Sequence, residues 1–263
     1  VEDVSLKVTS GSVTTADTDD LNFIVRHSSA DHLKFAANLP TPQAAGVEFN
    51  FDTVLHAVDL YDNICDGANN STAFSGSRQI TWSLSGASNG PEGDVVDVFV
   101  SPVEFSAGAS TTVLKARLYR AQDTTITAGT TALTGVNVAS NTITVNSGAV
   151  AKLRFSQEPA TSCITSHALA TQPKVAVSDQ YGNPVSGSSA NVTLAASTSN
   201  DSFVQAVNGI LSASGGLTTA TVNGVASFTG LTYSYPEAIY LRATVAGVSL
   251  TPVFSSGITF NTA

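Results

Sequence analysis

Apolar and polar residues alternate with a period of two through most of this chain, in short runs such as "VEFNFDTVLHAVDL", "RQITWSLSG", "STTVLKARLYRA", "KVAVSD", "NVTLAAS", "GVASFTGLTY" and "AIYLRATV". Successive side chains of a strand point to opposite faces, so each run predicts a strand with one buried face. Gly, Asn, Asp and Ser separate the runs, and no segment keeps a helical period. An all-β protein follows.

The pattern is also written twice. "HLKFAANLP" from His32 returns as "KLRFSQEPA" from Lys152, and "DLYDNICDG" at residues 59–67 returns as "DQYGNPVSG" at residues 179–187, both at an offset of 120 residues. A unit of about 115–120 residues with seven or so strands is the size of one two-sheet Greek-key sandwich. We place the first unit at residues 31–148 and the second at 149–263. A partial third copy precedes them. "DLNFIVRHSSADHLKF" has the layout of "NTITVNSGAVAKLRF" between the units, and "VSLKVTSGSV" resembles the late strands of the second unit. Residues 1–30 therefore read as the last two strands of another sandwich, a remnant or a donated pair. A lone hairpin cannot bury its apolar face and needs a host.

The run "KLRFSQEPATSCITSHALATQPKVAVSDQYGNPVSGSSANVTL", with "GGLTTATVNGVASFTGLTYSYPEAIYLRATV", resembles the bacterial Ig-like repeats of large cell-surface and secreted proteins, broadly invasin- or filamin-like. The first unit keeps less of the pattern, with "DVFVSPVEFSAG" where the second has "NGVASFTGL". The resemblance implies tandem immunoglobulin-like β-sandwiches and an extracellular or cell-surface setting. It implies no single activity.

Composition narrows the partners. A formal net charge of −9 with eleven Lys and Arg speaks against nucleic acid, whose phosphates need clustered basic residues. Apolar runs are too short for a membrane-spanning helix. Beginning at Val rather than Met reads as a processed protein or a segment of a longer one.

Few residues carry candidate chemistry, and no enzyme is expected. "GASNG" fits a hydrolase elbow around Ser88, but a strand rather than a helix follows it. His27, His32, His56 and His167 lack zinc-ligand spacing. Trp82 shares a face with Ile80 and Leu84 and is expected in the core. Two carboxylate runs, Asp17, Asp19 and Asp20 and then Asp59, Asp62 and Asp66, are candidate calcium ligands beside the plainer reading of solvated turns. Asn69, Asn70, Asn191 and Asn200 begin glycosylation triplets.

Cys65 and Cys163 are the only cysteines. In an extended pair of sandwiches the Cys65 turn faces backward and the Cys163 loop forward. A disulfide needs Cα atoms within about 7 Å, out of reach inside one such molecule. Three readings stand: copies polymerised head to tail, with Cys163 of one bonded to Cys65 of the next; a segment of a longer multi-repeat protein with two free thiols; or a folded-back pair with an internal bridge. The expected role is a structural subunit of a filament, stalk or surface layer whose partners are copies of itself or neighbouring Ig-like repeats. The alternative is a ligand-binding adhesin using loops such as "DGANNSTAFSG".

Overall fold

The computed structural model describes residues 2–6, 9–10, 13–14, 21–87, 89–97, 99–202, 204 and 207–262. They form an all-β chain with two separate hydrophobic cores, one drawn from residues 33–145 and the other from residues 153–260. We call the two bodies the first and second sandwich.

The second sandwich shows how alternation becomes packing. One sheet runs Lys152–Gln157, Lys174–Ser178, Val225–Ser227. The other runs Ser162–Ile164, Ile258–Asn261, Ala238–Val245, Asn191–Ser197, Thr218–Ala220. In the longest pair, Val192 and Leu194 face inward beside Ile239, Leu241 and Ala243. Intervening Thr193, Tyr240 and Arg242 lie partly open to water. A two-residue periodicity thus buries one face of each sheet against the other. Pairing is antiparallel except where Ser162–Ile164 runs parallel to Ile258–Asn261, bringing an early strand beside the last.

The first sandwich repeats this plan. His32–Phe35 pairs with Leu55–Val58, Gln43–Ala44 runs parallel to Ile143–Asn146, and Thr81–Leu84 pairs with Ile126–Gly129. Where its sequence departs from the second unit, Leu55–Val58 continues through Ala109–Ser110 and Val103–Ser106 to Gly76–Arg78. Val103 and Phe105 point inward there, and Phe105 meets Phe74 edge-on at 5.1 Å. Gly108 makes the hairpin turn at φ +76, and a Cβ there would lie 2.9 Å from the Cys65 backbone. Only glycine fits both demands.

Trp82 sits at the rim of the core rather than within it. Its indole stacks on Phe99 at 5.1 Å, meets Phe51 edge-on at 5.8 Å and donates to the Val100 carbonyl at 2.9 Å. Parity along the strand set the side of the sheet correctly. It carried no information about depth, which depends on how far the opposing layer extends.

The separate cores predict separate sensitivities. Leu55→Ala and Leu241→Ala each remove a fully buried side chain, at a cost of about 3 kcal/mol. Urea unfolding followed by Trp82 fluorescence is expected to shift strongly for Leu55→Ala and weakly for Leu241→Ala, while circular dichroism registers both.

Candidate functional site: the repeated turn and the junction it makes

The sequence that recurs most closely, Asp-x-Tyr-x-Asn, forms the same turn in each sandwich. In the second, Asp179 Oδ1 accepts from the backbone N–H groups of Tyr181 and Asn183, both at 2.9 Å. Its Oδ2 accepts from the Gly148 N–H and the Asn183 side-chain amide, again both at 2.9 Å. Asp179 and Asn183 are buried. Asp suits this position because an ionised carboxylate takes several N–H donors at once, and the position after Tyr181 is Gly182 at φ +82, a left-handed backbone.

Asn183 also reaches out of its own sandwich. Its Nδ2 donates to the Tyr119 carbonyl at 2.7 Å, and its Oδ1 accepts from the Ala121 N–H at 2.8 Å. One side-chain amide thereby satisfies a backbone acceptor and a backbone donor of the first sandwich. The Tyr181 ring meets Tyr119 edge-on at 5.0 Å and lies across Gly46, where an added Cβ would fall 2.1 Å from the ring. Lys152 pairs with Glu92 of the first sandwich and donates to the Gln180 carbonyl at 2.9 Å. Residues 147–151 alone join the last strand of the first sandwich to the first strand of the second. A short linker and a two-sided polar clamp hold the two bodies together.

The earlier copy of the turn has the same interior and an open exterior. Asp59 Oδ1 accepts from the N–H groups of Tyr61 and Asn63, and Oδ2 from the Ser28 N–H, all at 2.9 Å. Burial pushes the Asp59 carboxyl up, but the donations from Ser28, Asn63 and Tyr61 outweigh it and hold the group down to about 2. Outward, Leu60 and Tyr61 are 69% and 77% exposed. The Asn63 amide folds back onto both Asp59 oxygens at 3.2 Å. Asp62 stands where the second copy has Gly182, and its carboxyl is held below the ordinary range by Lys34 at 3.1 Å and also by His32 at 3.2 Å.

The remaining candidate residues are dispersed. Asp17, Asp19 and Asp20 lie outside the described residues. Asp59, Asp62 and Asp66 do not converge as a calcium cage: Asp59 serves the turn, Asp62 the cations, and Asp66 the Ala68 N–H at 2.8 Å. No cluster of three His, Cys, Asp or Glu side chains suited to a metal occurs among the described residues. Asn69, Asn70, Asn191 and Asn200 are all exposed, and Ser88 lies outside the described residues. His27 is buried, with its Nδ1 2.7 Å from the Ser28 carbonyl and its Nε2 accepting from the Gly67 N–H at 3.2 Å. His56 lies on its strand, its imidazole made less basic by burial and then by Lys34.

Both cysteines are free. Cys65 does lie toward what precedes the first sandwich, with Sγ 3.7 Å from the Ser28 carbonyl, but it is enclosed rather than projecting. Burial, followed by the charges of Asp59 and Asp66, pushes its thiol up to about 11. A bond from Cys65 to Cys163 of another molecule would require this turn to open first. Nothing in the sequence marks this side chain as folding under Ser28.

No protein-family model matches the chain, and no curated protein matches it. Among solved structures it is similar to domains 5–6 of the S-layer protein SbsC, at 17% identity over 89% of this chain and 99% of that one, with a TM-score of 0.29. The D0–D1 domain of intimin is similar at 15% identity over 89% and 99%, with a TM-score of 0.31. A glycosyl hydrolase family 2 member from Bacteroides cellulosilyticus is similar at 13% identity over 85% of this chain but 24% of that one, with a TM-score of 0.38. At such TM-scores none of these likenesses bears on what the chain does. Its all-β architecture rests on its own strand pairing. Among the described residues no helix is long and apolar enough to cross a membrane.

Two outcomes are expected. Because the folded Asp59 carboxyl lies near 2, below its unfolded value of 3.8, its stabilisation is complete above about pH 4 and disappears as pH falls through about 2. Asp59→Asn should therefore lower stability at pH 7 by about 2 kcal/mol, with wild type and variant converging near pH 2 in denaturant titrations. A thiol reagent at pH 8 should label Cys163 promptly and Cys65 only after unfolding.

Proposed function

We propose that this chain is a structural spacer of a cell-surface or extracellular assembly, in which Ig-like sandwiches are joined end to end as a stalk, filament or surface layer. The observation that carries this reading is Asn183, buried between two bodies and bonded to both. An interface meant only to tolerate a neighbour has no need of a buried amide matched to one carbonyl and one N–H. Such a contact fixes orientation, since a small rotation breaks both bonds and leaves buried polar groups unpaired. Regular units held at a fixed angle convert chain length into reach and stiffness.

The surface agrees with that role. A formal net charge of −9 disfavours side-by-side association at low salt and leaves contact to the ends. Assembly at those ends is non-covalent in this reading, because Cys65 is enclosed.

A second reading, a ligand-binding adhesin, is favoured by one feature. An open cleft of about 370 Å³ is lined by Trp82, Leu84, Asn89, Val95 and Phe99, among others, and presents an aromatic wall beside polar edges. Titration of soluble oligosaccharides against Trp82 fluorescence tests it, and saturable quenching would favour this reading over the spacer.

Asn183→Ala should cost about 2 kcal/mol and loosen the junction. Tyr181→Ala should add about 1 kcal/mol by removing the edge-on aromatic contact. Residual dipolar couplings or small-angle scattering should show one fixed inter-sandwich orientation in the wild type and a broadened distribution in the double variant. An equally rigid double variant overturns the spacer reading.

A further inference from the structure

We propose that the Leu60–Asn63 end of the first sandwich is a docking surface for a preceding Ig-like sandwich, one that ends as this chain's first sandwich ends and not as its second does. The inference rests on the end-to-end reading and names the partner that reading requires.

Three observations carry it. The first is the repeated turn, used at one end and idle at the other. Tyr181 and Asn183 are engaged by Tyr119, Gly46 and Ala121. Their counterparts Tyr61 and Asn63 keep the same backbone bonds to Asp59, yet Tyr61 is exposed and the half-buried Asn63 turns its amide back onto Asp59, with no donor to its Oδ1 among the described residues. The chain also enters both turns alike: Ser28 donates to Asp59 as Gly148 donates to Asp179, at the shared offset of 120.

The second is the hairpin of Glu2–Leu6 and Leu21–Val25, where Val4 pairs with Phe23 as Thr124 pairs with Ile143. Thr124, Ile143 and Val145 are buried in the first sandwich. Val4, Phe23 and Val25, at the same offset, are 38%, 46% and 47% exposed. These are core positions without a core. The partner is therefore a sandwich body that this hairpin completes, and it sits directly over Tyr61 and Asn63.

The third excludes the far end of this same chain. Backbone bonds set the equivalence of the two ends: Gly46 N–H to Leu118 C=O and Ser166 N–H to Tyr233 C=O are both 2.7 Å. Ala45 to Asn146 and Thr165 to Asn261 are likewise both 2.9 Å. Counting forward from Leu118 and Tyr233, Tyr119 corresponds to Ser234 and Ala121 to Pro236. Pro236 has no N–H to give an asparagine, Ser234 has no ring, and Ser166 carries a Cβ where the tyrosine ring must lie over Gly46. A second copy's far end lacks the seat, so the partner is a different sandwich with Gly, an aromatic residue and a non-proline residue at those positions.

The test extends the chain. Residues 1–26 are replaced by residues 31–146, which sets a second copy of the first sandwich ahead of His27 in the register of the native junction. Tyr61 nitration by tetranitromethane, read by mass spectrometry, is expected to fall at least tenfold relative to the native chain. Tyr61→Ala, silent in the native unfolding midpoint, should lower it in the extended chain, and Asn63→Ala, which also loses the amide bonds to Asp59, should lower it more in the extended chain than in the native one. In a parallel chain, residues 151–261 take the place of residues 1–26, and Tyr61 should remain as reactive as in the native chain. Ser166→Gly with Ser234→Tyr and Pro236→Ala in that added copy should restore protection, which keeps the proposal testable if the first extension misfolds. Tyr61 remaining reactive behind a folded first-sandwich copy, or protected equally behind the unaltered second-sandwich copy, overturns the inference. Either result with an intact Asn183 junction leaves the spacer reading standing, whereas an uncoupled native junction removes that reading by itself.

Discussion

A buried carboxylate held by backbone N–H groups organises the leading end of each sandwich. Removing an ionised Asp from water is costly unless donors replace the lost solvent. Around Asp59 the replacement is more than sufficient, since its carboxyl is held near 2 despite burial. Asp179 is surrounded in the same way. The carboxylate freezes the turn, the turn aims the asparagine two residues past the tyrosine, and the asparagine meets the neighbouring body. Packing elsewhere follows ordinary two-sheet rules, but the relation between the two sandwiches depends on this chain of contacts.

Much of the fold was legible in the sequence because burial in a sandwich alternates with period two. Leu33 and Phe35 align with Leu153 and Phe155 in the sequence, and the structure sets Leu33, Leu153 and Phe155 in the cores, with Phe35 packed against the first. The five-stranded sheet through Val103–Ser106 was less legible, since its Ala107–Gly108 turn matches Asn223–Gly224 of the second copy in backbone conformation and bonding but hardly in sequence. Depth was harder still. Trp82 had the right parity yet rests at the rim, and Cys65, in a turn that reads as exposed, is covered by the incoming chain at Ser28.

The junction was visible only as repetition. Asp, Tyr and Asn recurring at fixed spacing marked the turn, but a repeated turn looks the same whether it bonds to itself or to a neighbour. Nothing local in "AAGVEF" sets Gly46 apart as the floor beneath a tyrosine from another sandwich. Ala121 matters through its backbone N–H, which every residue except proline possesses, so its importance emerges only beside Pro236. Calcium was suggested by carboxylates close in sequence, whereas the fold directs Asp59, Asp62 and Asp66 to different partners.

Gly46 has a consequence beyond its own contact. A position that must lack a side chain for the next unit to sit down makes the sandwiches non-interchangeable, since exchanging the two would present Ser166 where bare backbone is needed. In an array built this way the order of modules is itself heritable information. Recombination between repeats that share most of their text would be filtered by a single missing carbon atom.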